Sequence, residues 1–197
     1  MTAPGRLAAH IVSLVLNPFT NALPVFALLL ADASAAREVS FMPSLSVALL
    51  FGSLVPVAYV VVIKRQGQIN EWDVADRKAR LKPLAVGVAS YLVGFLLLAW
   101  LGVRGYPLGF MFCHITNTLI VLVITTRWKI SIHAIGISGP LMILQMAYGN
   151  AVGVWWGLVP LVAGSRVVLQ KHTLAQVTAG VALGIIMTFL QVHLFFI

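Results

Sequence analysis

The chain has 197 residues, of which 60% are hydrophobic and only 9% are charged, and its mean hydropathy is +1.00. Soluble domains carry about 25% charged residues, so this composition excludes a water-soluble globular protein. The formal net charge is +8, and in a membrane protein such an excess of Lys and Arg reports orientation or an anion site. We do not expect nucleic-acid binding.

Apolar runs of about 20 residues recur along the chain, and each is long enough to cross a hydrocarbon core of roughly 30 Å as a helix. We therefore predict an all-α, polytopic transmembrane bundle of six or seven spans, forming a single integral membrane domain over residues 1–197. The candidate segments are residues 7–30, 42–63, 84–103, 108–125, 132–149, 152–168 and 173–196.

The first segment is the least regular of the seven. Asn17-Pro18 and Pro24 interrupt it, and a proline inside a helix removes a hydrogen bond and kinks the helix. We expect a kinked or partly re-entrant crossing here. The same interruptions argue against a cleaved signal sequence.

A long polar insert, residues 64–83, separates the second segment from the third. If all seven segments cross, this insert shares one face with residues 127–129, residues 165–172 and the N-terminus. The positive-inside rule makes that face cytoplasmic, because it collects most of the cations. They are Arg6, Lys64, Arg65, Arg77, Lys78, Arg80, Lys82, Arg127, Lys129, Arg166 and Lys171, with Arg37 and Arg104 opposite.

Two of these polar stretches contain a histidine in a recognisable motif. One reads Lys129-Ile130-Ser131-Ile132-His133, and the other reads Ser165-Arg166, five residues, His172, and then Gln176 one helical turn later. Ionisable groups near membrane depth are costly and tend to mark function. The motifs resemble those of the type 2 phosphatidic acid phosphatase superfamily. That pattern is a Lys-rich segment ending Arg-Pro, then Pro-Ser-Gly-His, then Ser-Arg, five residues, His, three residues and Asp.

The third motif carries the strongest resemblance. Ser165, Arg166 and His172 keep both identity and spacing. The largest departure is Gln176, which stands where the family has Asp. An amide accepts a hydrogen bond from an imidazole but does not stabilise an imidazolium as a carboxylate does.

The first two motifs match less closely. Ser131 and His133 are kept, but Ile130 and Ile132 replace the Pro and Gly of the family. The dipeptide Lys82-Pro83 falls where Arg-Pro is expected.

The resemblance implies a metal-independent phosphatase without a cofactor. His172 would attack phosphorus to give a phosphohistidine, His133 would protonate the leaving lipid oxygen, and Gln176 would orient the imidazole. Fixed cations and hydroxyls suit a phosphate dianion. The implied phosphate-binding residues are Arg166, Ser131, Ser165, Lys82, Arg80, Lys78 and Lys129.

We therefore expect an enzyme that hydrolyses a lipid phosphate or diphosphate taken from the bilayer. A phosphotransferase of the same superfamily and a non-catalytic lipid-binding or transport protein are the alternatives. The sequence contains no Walker-type loop, which argues against an ATP-driven pump. Its apolar runs lack paired carboxylate motifs, which argues against a metal-dependent prenyltransferase.

The remaining histidines and acids have simpler interpretations. His10, His114 and His193 lie in or beside apolar runs without a matching partner, so we interpret them as packing residues. The acids of the insert either solvate it and pair with its cations, or supply the carboxylate that Gln176 lacks. These acids are Glu71, Asp73 and Asp76.

Overall fold

The computed structural model describes residues 3–36, 38–69, 72, 74 and 76–197, without the side chains of residues 3 and 4. Over this part of the chain it contains nine α-helices and no β-strand. The helices are α1 Ala3–Val15, α2 Pro18–Ala35, α3 Phe41–Leu49, α4 Val55–Arg65, α5 Leu81–Trp100, α6 Gly105–Thr125, α7 Ile132–Tyr148, α8 Leu158–Val168 and α9 Leu174–Phe195. A π-helical turn, Leu50–Leu54, joins α3 to α4, and 3₁₀ turns occupy Lys78–Arg80 and Gly149–Gly157.

Six helical stretches are long and apolar enough to cross a membrane. They are Pro18–Ala35, Phe41–Arg65, Lys78–Trp100, Gly105–Thr125, Ile132–Val168 and Leu174–Phe195. Large apolar side chains cover the outside of the bundle, and Trp100, for example, is 81% exposed. Such a surface suits hydrocarbon rather than water. The protein is therefore a polytopic helical membrane protein, as its composition predicts.

The predicted first segment, residues 7–30, is two helices rather than one kinked or partly re-entrant crossing. The side chain of Asn17 caps α2 by accepting a hydrogen bond from the backbone N–H of Phe19 at 2.9 Å, and Pro18 occupies the first helical position. Both features are typical of a helix start. The membrane-length stretch therefore begins at Pro18, and the short helix α1 packs against α8.

The stretch Ile132–Val168 reverses direction within its length. Gly149 ends α7 with a φ of +61°, a conformation that favours glycine. Beyond it, the indole of Trp156 donates a hydrogen bond to the side chain of Gln145 at 3.1 Å. Val162 of α8 shares a hydrophobic cluster with Ile137 of α7. The chain thus returns antiparallel to α7, and α8 ends near the level at which α7 begins.

Helices α7 and α9 pack closely through small residues. A Cβ at Gly180 would lie 2.7 Å from the carbonyl oxygen of Ser131, so this approach of the two backbones requires glycine. The backbone N–H of Ser131 donates to the carbonyl oxygen of Gln176 at 3.2 Å. The contact places the second and third sequence motifs side by side.

Three loops meet at one end of the bundle, which we call the basic end: residues 126–131, residues 169–173 and the described part of residues 66–80. Arg77 donates to the carbonyl oxygen of Thr125 at 3.0 Å, which ties the first loop to the end of α6. At the opposite end, the hydroxyl of Tyr148 donates to Asp32 at 2.6 Å. Arg104 follows the far end of α5, whereas Arg37 lies outside the described residues.

We predict that the basic end lies on one side of the membrane in cells. Gln68 and Gln170 are both exposed there, and Asn150 is exposed at the other end. Single cysteines at these positions, with the buried Cys113 replaced by Ala, are labelled with an impermeant maleimide in sealed vesicles. Residues 68 and 170 should react from the same side and residue 150 from the other. Reaction of residues 68 and 170 from opposite sides would disprove this topology.

Candidate functional site

His172 lies in the loop between α8 and α9. Gln170 adopts a φ of +55°, and the loop then folds back over the end of α8. The backbone N–H groups of Lys171 and His172 donate to the carbonyl oxygen of Arg166 at 3.0 Å and 3.3 Å. This fold-back places His172 beside Arg166 and leaves its side chain only 6% exposed.

Gln176 fixes the orientation of the His172 ring. Its Oε1 accepts from the backbone N–H of Thr173 at 3.2 Å and lies 3.0 Å from His172 Nδ1. Because an amide oxygen only accepts, Nδ1 carries the proton and the lone pair is on Nε2. Thr173 and Gln176 also form a reciprocal capping box at the start of α9. Gln176 therefore serves the helix and the imidazole at once.

Three cations act on the His172 imidazole. Burial lowers the pKa of His172 to about 3, and the positive charges of Arg80, Lys129 and Arg166 contribute in the same direction. The hydrogen bond to Gln176 opposes them. Because this pKa lies far below the usual value near 6.5, the ring is neutral at physiological pH and its Nε2 is available as a nucleophile.

Arg80 is held rigidly where the polar insert meets the bundle. It is only 4% exposed. Its Nε donates to the carbonyl oxygen of Val74 at 2.7 Å, and Nη1 donates to that of Ile130 at 3.4 Å. These bonds join the first and second motifs, and they fix a guanidinium beside His172.

Arg166 is the most deeply buried cation near the site, at 1% exposure. Its Nη1 donates to the hydroxyl of Ser13 at 2.5 Å. Ser13 belongs to α1, more than 150 positions away in sequence, and no motif marks it. Helix α1 therefore contributes a hydrogen-bond partner to the Arg166 guanidinium.

His133 and His172 line one cavity of about 170 Å³, together with Arg80. His133 is buried in the first turn of α7. The two candidate catalytic histidines therefore reach the same cavity from different segments, the first turn of α7 and the loop before α9.

The two serines of the motifs have structural partners. The hydroxyl of Ser131 caps α7 by accepting from the backbone N–H of Ala134 at 3.4 Å. The hydroxyl of Ser165 donates to the carbonyl oxygen of Val162 at 2.7 Å. Both are buried, and neither lines the cavity.

Lys78 and Lys82 lie apart from the histidines. Both are exposed and line a second cavity of about 230 Å³, next to Tyr59 and Gln68. Of the predicted phosphate-binding cations, the structure therefore brings Arg80, Lys129 and Arg166 to His172, and it places these two lysines on the adjacent surface.

The histidines and acids outside the motifs occupy different positions in the structure. His10 and His193 are exposed, whereas His114 lines the inner part of the cavity. Asp76 caps the turn Lys78–Arg80, accepting from the backbone N–H groups of Lys78 and Ala79. Glu71 and Asp73 lie outside the described residues. Within the described part, no three His, Cys, Asp or Glu residues cluster as metal ligands.

Comparison with known proteins adds no relative. No protein-family model, no curated protein and no solved structure matches the chain. The phosphatase resemblance therefore rests on the motifs, and the functional argument rests on the geometry of the site.

We predict that removing the charge of Lys129 raises the pKa of His172. A neighbouring cation disfavours the protonated ring, so Lys129→Gln should move the value upward from about 3 by roughly one unit or less. Diethyl pyrocarbonate modifies neutral imidazole. Mass spectrometry measures how much of His172 is modified at each pH. As the pH is lowered, this modification should begin to decrease at a higher pH in the variant than in the wild type.

The exposed residue Arg127 provides the matched control. It is not among the groups that shift the pKa of His172. Arg127→Gln should therefore leave unchanged the pH at which modification of His172 begins to decrease. Equal shifts in the two variants would mean that Lys129 acts through general surface charge rather than at the site.

Proposed function

We propose that the protein is a membrane-embedded phosphatase that hydrolyses a lipid phosphate or diphosphate through a phosphohistidine at His172. One observation carries the proposal: a buried, neutral and oriented imidazole lies among the charges of Arg80, Lys129 and Arg166 at the edge of a cavity. Fixed cations around a nucleophile provide what a phosphate dianion needs for binding and for charge stabilisation.

In the first step, Nε2 of His172 attacks phosphorus and the bond from phosphorus to the leaving oxygen breaks. His133, in its protonated form, gives a proton to that oxygen, so the lipid product leaves as a neutral alcohol. With a diphosphate substrate, the leaving group is the lipid monophosphate. The guanidinium groups of Arg80 and Arg166 stabilise the oxygens of the transferring group.

In the second step, water attacks the phosphohistidine. His133, now neutral, accepts a proton from this water, and the bond between phosphorus and Nε2 breaks. Inorganic phosphate is released, and both histidines return to their starting states. Throughout, Gln176 holds the proton on Nδ1, so that only Nε2 exchanges the phosphoryl group.

The lining of the cavity supports a lipid substrate. Beyond the histidines it includes apolar side chains from several helices, among them Phe19, Val60 and Leu84. A hydrocarbon chain packs against such walls while the phosphate stays at the basic end. We also propose that the basic end faces the cytoplasm of a cell membrane, because the positive-inside rule places Lys- and Arg-rich loops there.

The experiment is phosphate release by purified protein in detergent from a panel of lipid phosphates and diphosphates, with and without excess EDTA. We expect turnover that survives chelation, because protein cations supply the charge that a metal would supply. Complete loss of turnover with EDTA, restored by a divalent ion, would overturn this mechanism.

Added alcohols distinguish hydrolysis from transfer, since a phosphotransferase gives a phosphorylated alcohol. Binding of the lipids without any turnover would favour the non-catalytic alternative.

A further inference from the structure

The cavity that begins at His133 and His172 continues inward to a second group of polar residues, His114, Tyr91 and Asn117. On α5, Gly87 and Tyr91 lie seven and eleven positions beyond Arg80. At about 1.5 Å per residue, this is roughly 10 to 16 Å from the phosphate site along the helix axis. Polar groups at this depth of a membrane protein are costly and need a reason.

His114 presents a hydrogen-bond acceptor at this inner end. Its Nδ1 lies 2.8 Å from the carbonyl oxygen of Phe110. Since a carbonyl only accepts, Nδ1 carries the proton and Nε2 is the acceptor. The ring is enclosed by aromatic neighbours, with Phe110 at 4.5 Å, Tyr91 at 5.2 Å and Phe26 at 5.6 Å between centroids.

Tyr91, whose ring packs edge-on against His114, brings a hydroxyl to the same cavity. Its ring lies over Gly87, where an added Cβ would be 3.6 Å from the Tyr91 oxygen. Both residues line the cavity. Asn117 does not compete for these groups, because its side chain is bonded to Thr188 and Gln191 of α9. The inner end thus offers one acceptor, His114 Nε2, and one phenol that both donates and accepts.

We infer that this inner end recognises a hydroxyl group on the hydrocarbon chain of the ligand, roughly 10 to 16 Å from its phosphate. An alcohol donates to His114 Nε2 and accepts from Tyr91 at the same time, so it satisfies both groups. An unsubstituted chain leaves both buried and unsatisfied, at a cost in free energy. This inference rests on the proposed function for the phosphate end, but the inner groups can be tested separately.

The test uses calorimetry to measure the binding of non-hydrolysable alkylphosphonates to the full-length protein in detergent. Octyl, decyl and dodecyl chains are compared, each with and without a terminal hydroxyl. For each chain length, the affinity of the hydroxylated phosphonate is divided by that of the plain phosphonate. At the chain length that reaches the inner end, this ratio should be about tenfold larger in the wild type than in variants that lack the polar groups. His114→Phe and Tyr91→Phe should both remove this preference.

Comparing affinity ratios cancels the effect of the hydroxyl on partition into detergent. Tyr91→Phe removes a single oxygen atom, so it keeps the proposal testable if His114→Phe does not fold. A preference that persists in a folded variant, or that is the same at every chain length, overturns the inference.

Phosphate release from dodecyl phosphate is measured separately. Absence of turnover would count against the proposed phosphatase without affecting the binding comparison. If neither phosphonate binds, the phosphate site itself fails. Decane and decanol then decide the inner site alone, and a preference for decanol over decane that is equal in wild type and variants overturns it.

Discussion

Replacing His172 by Ala should lower phosphate release from every lipid phosphate by at least about a thousandfold, because the reaction loses its nucleophile. The neutral ring, with a pKa near 3, is the group that forms the covalent intermediate in this mechanism. Phosphate release is measured on purified protein at saturating substrate, so that weak binding does not imitate loss of chemistry.

His193→Ala is the matched control. His193 is exposed near the end of α9 remote from the basic end, where it stacks on Phe189 at 5.6 Å. This variant should keep wild-type turnover and melting temperature. A folded His172→Ala protein with normal turnover would refute the assignment of the nucleophile.

Replacing His133 by Ala should slow the cleavage of alkyl phosphates by about a hundredfold to ten-thousandfold, since an alkoxide leaves poorly without a proton. A substrate with an acidic leaving group needs no such proton. The kcat/KM for p-nitrophenyl phosphate, which reports formation of the phosphohistidine and not its hydrolysis, should therefore be nearly unchanged. The measurement is the ratio of kcat/KM for the two substrates in wild type and variant.

The leaving-group dependence separates acid catalysis from a structural role. His133 is buried in the first turn of α7, so a purely structural loss would slow both substrates equally. An equal decrease would exclude His133 as the general acid. A selective decrease for the alkyl phosphate is expected only when proton transfer to the leaving oxygen is affected.

Hydropathy predicted most of the fold, because lipid requires long apolar helices that satisfy their own backbone hydrogen bonds. The exception was the N-terminal segment. There, Asn17 and Pro18 start a new helix, whereas the sequence suggested one crossing that these residues kink or make partly re-entrant. Composition reports which residues prefer lipid, but a local side-chain bond decides where the helix begins.

The grouping of the candidate site residues was predictable where their spacing along one segment brings them together. Arg166, His172 and Gln176 are close in sequence. The structure places Arg166 and Gln176 beside the imidazole of His172. The sequence of Thr173 and Gln176 also contained a capping-box signal that could have explained the glutamine.

Residues that meet only through tertiary packing were not predictable in this way. Ser13 reaches Arg166 from α1, and His114 reaches the cavity from the middle of α6. A lone Ser or His in an apolar run gives no sign of its distant partner.

The most direct test of the proposed mechanism is to locate the phosphoryl group during turnover. Wild-type protein is mixed with a short-chain phosphatidic acid in the presence of EDTA, quenched within milliseconds in alkali, and digested for mass spectrometry. The mechanism predicts an acid-labile, alkali-stable phosphoryl group on the imidazole of His172, absent from His172→Ala. Phosphate release with no phosphoenzyme, or with the phosphoryl group on another residue, would contradict it.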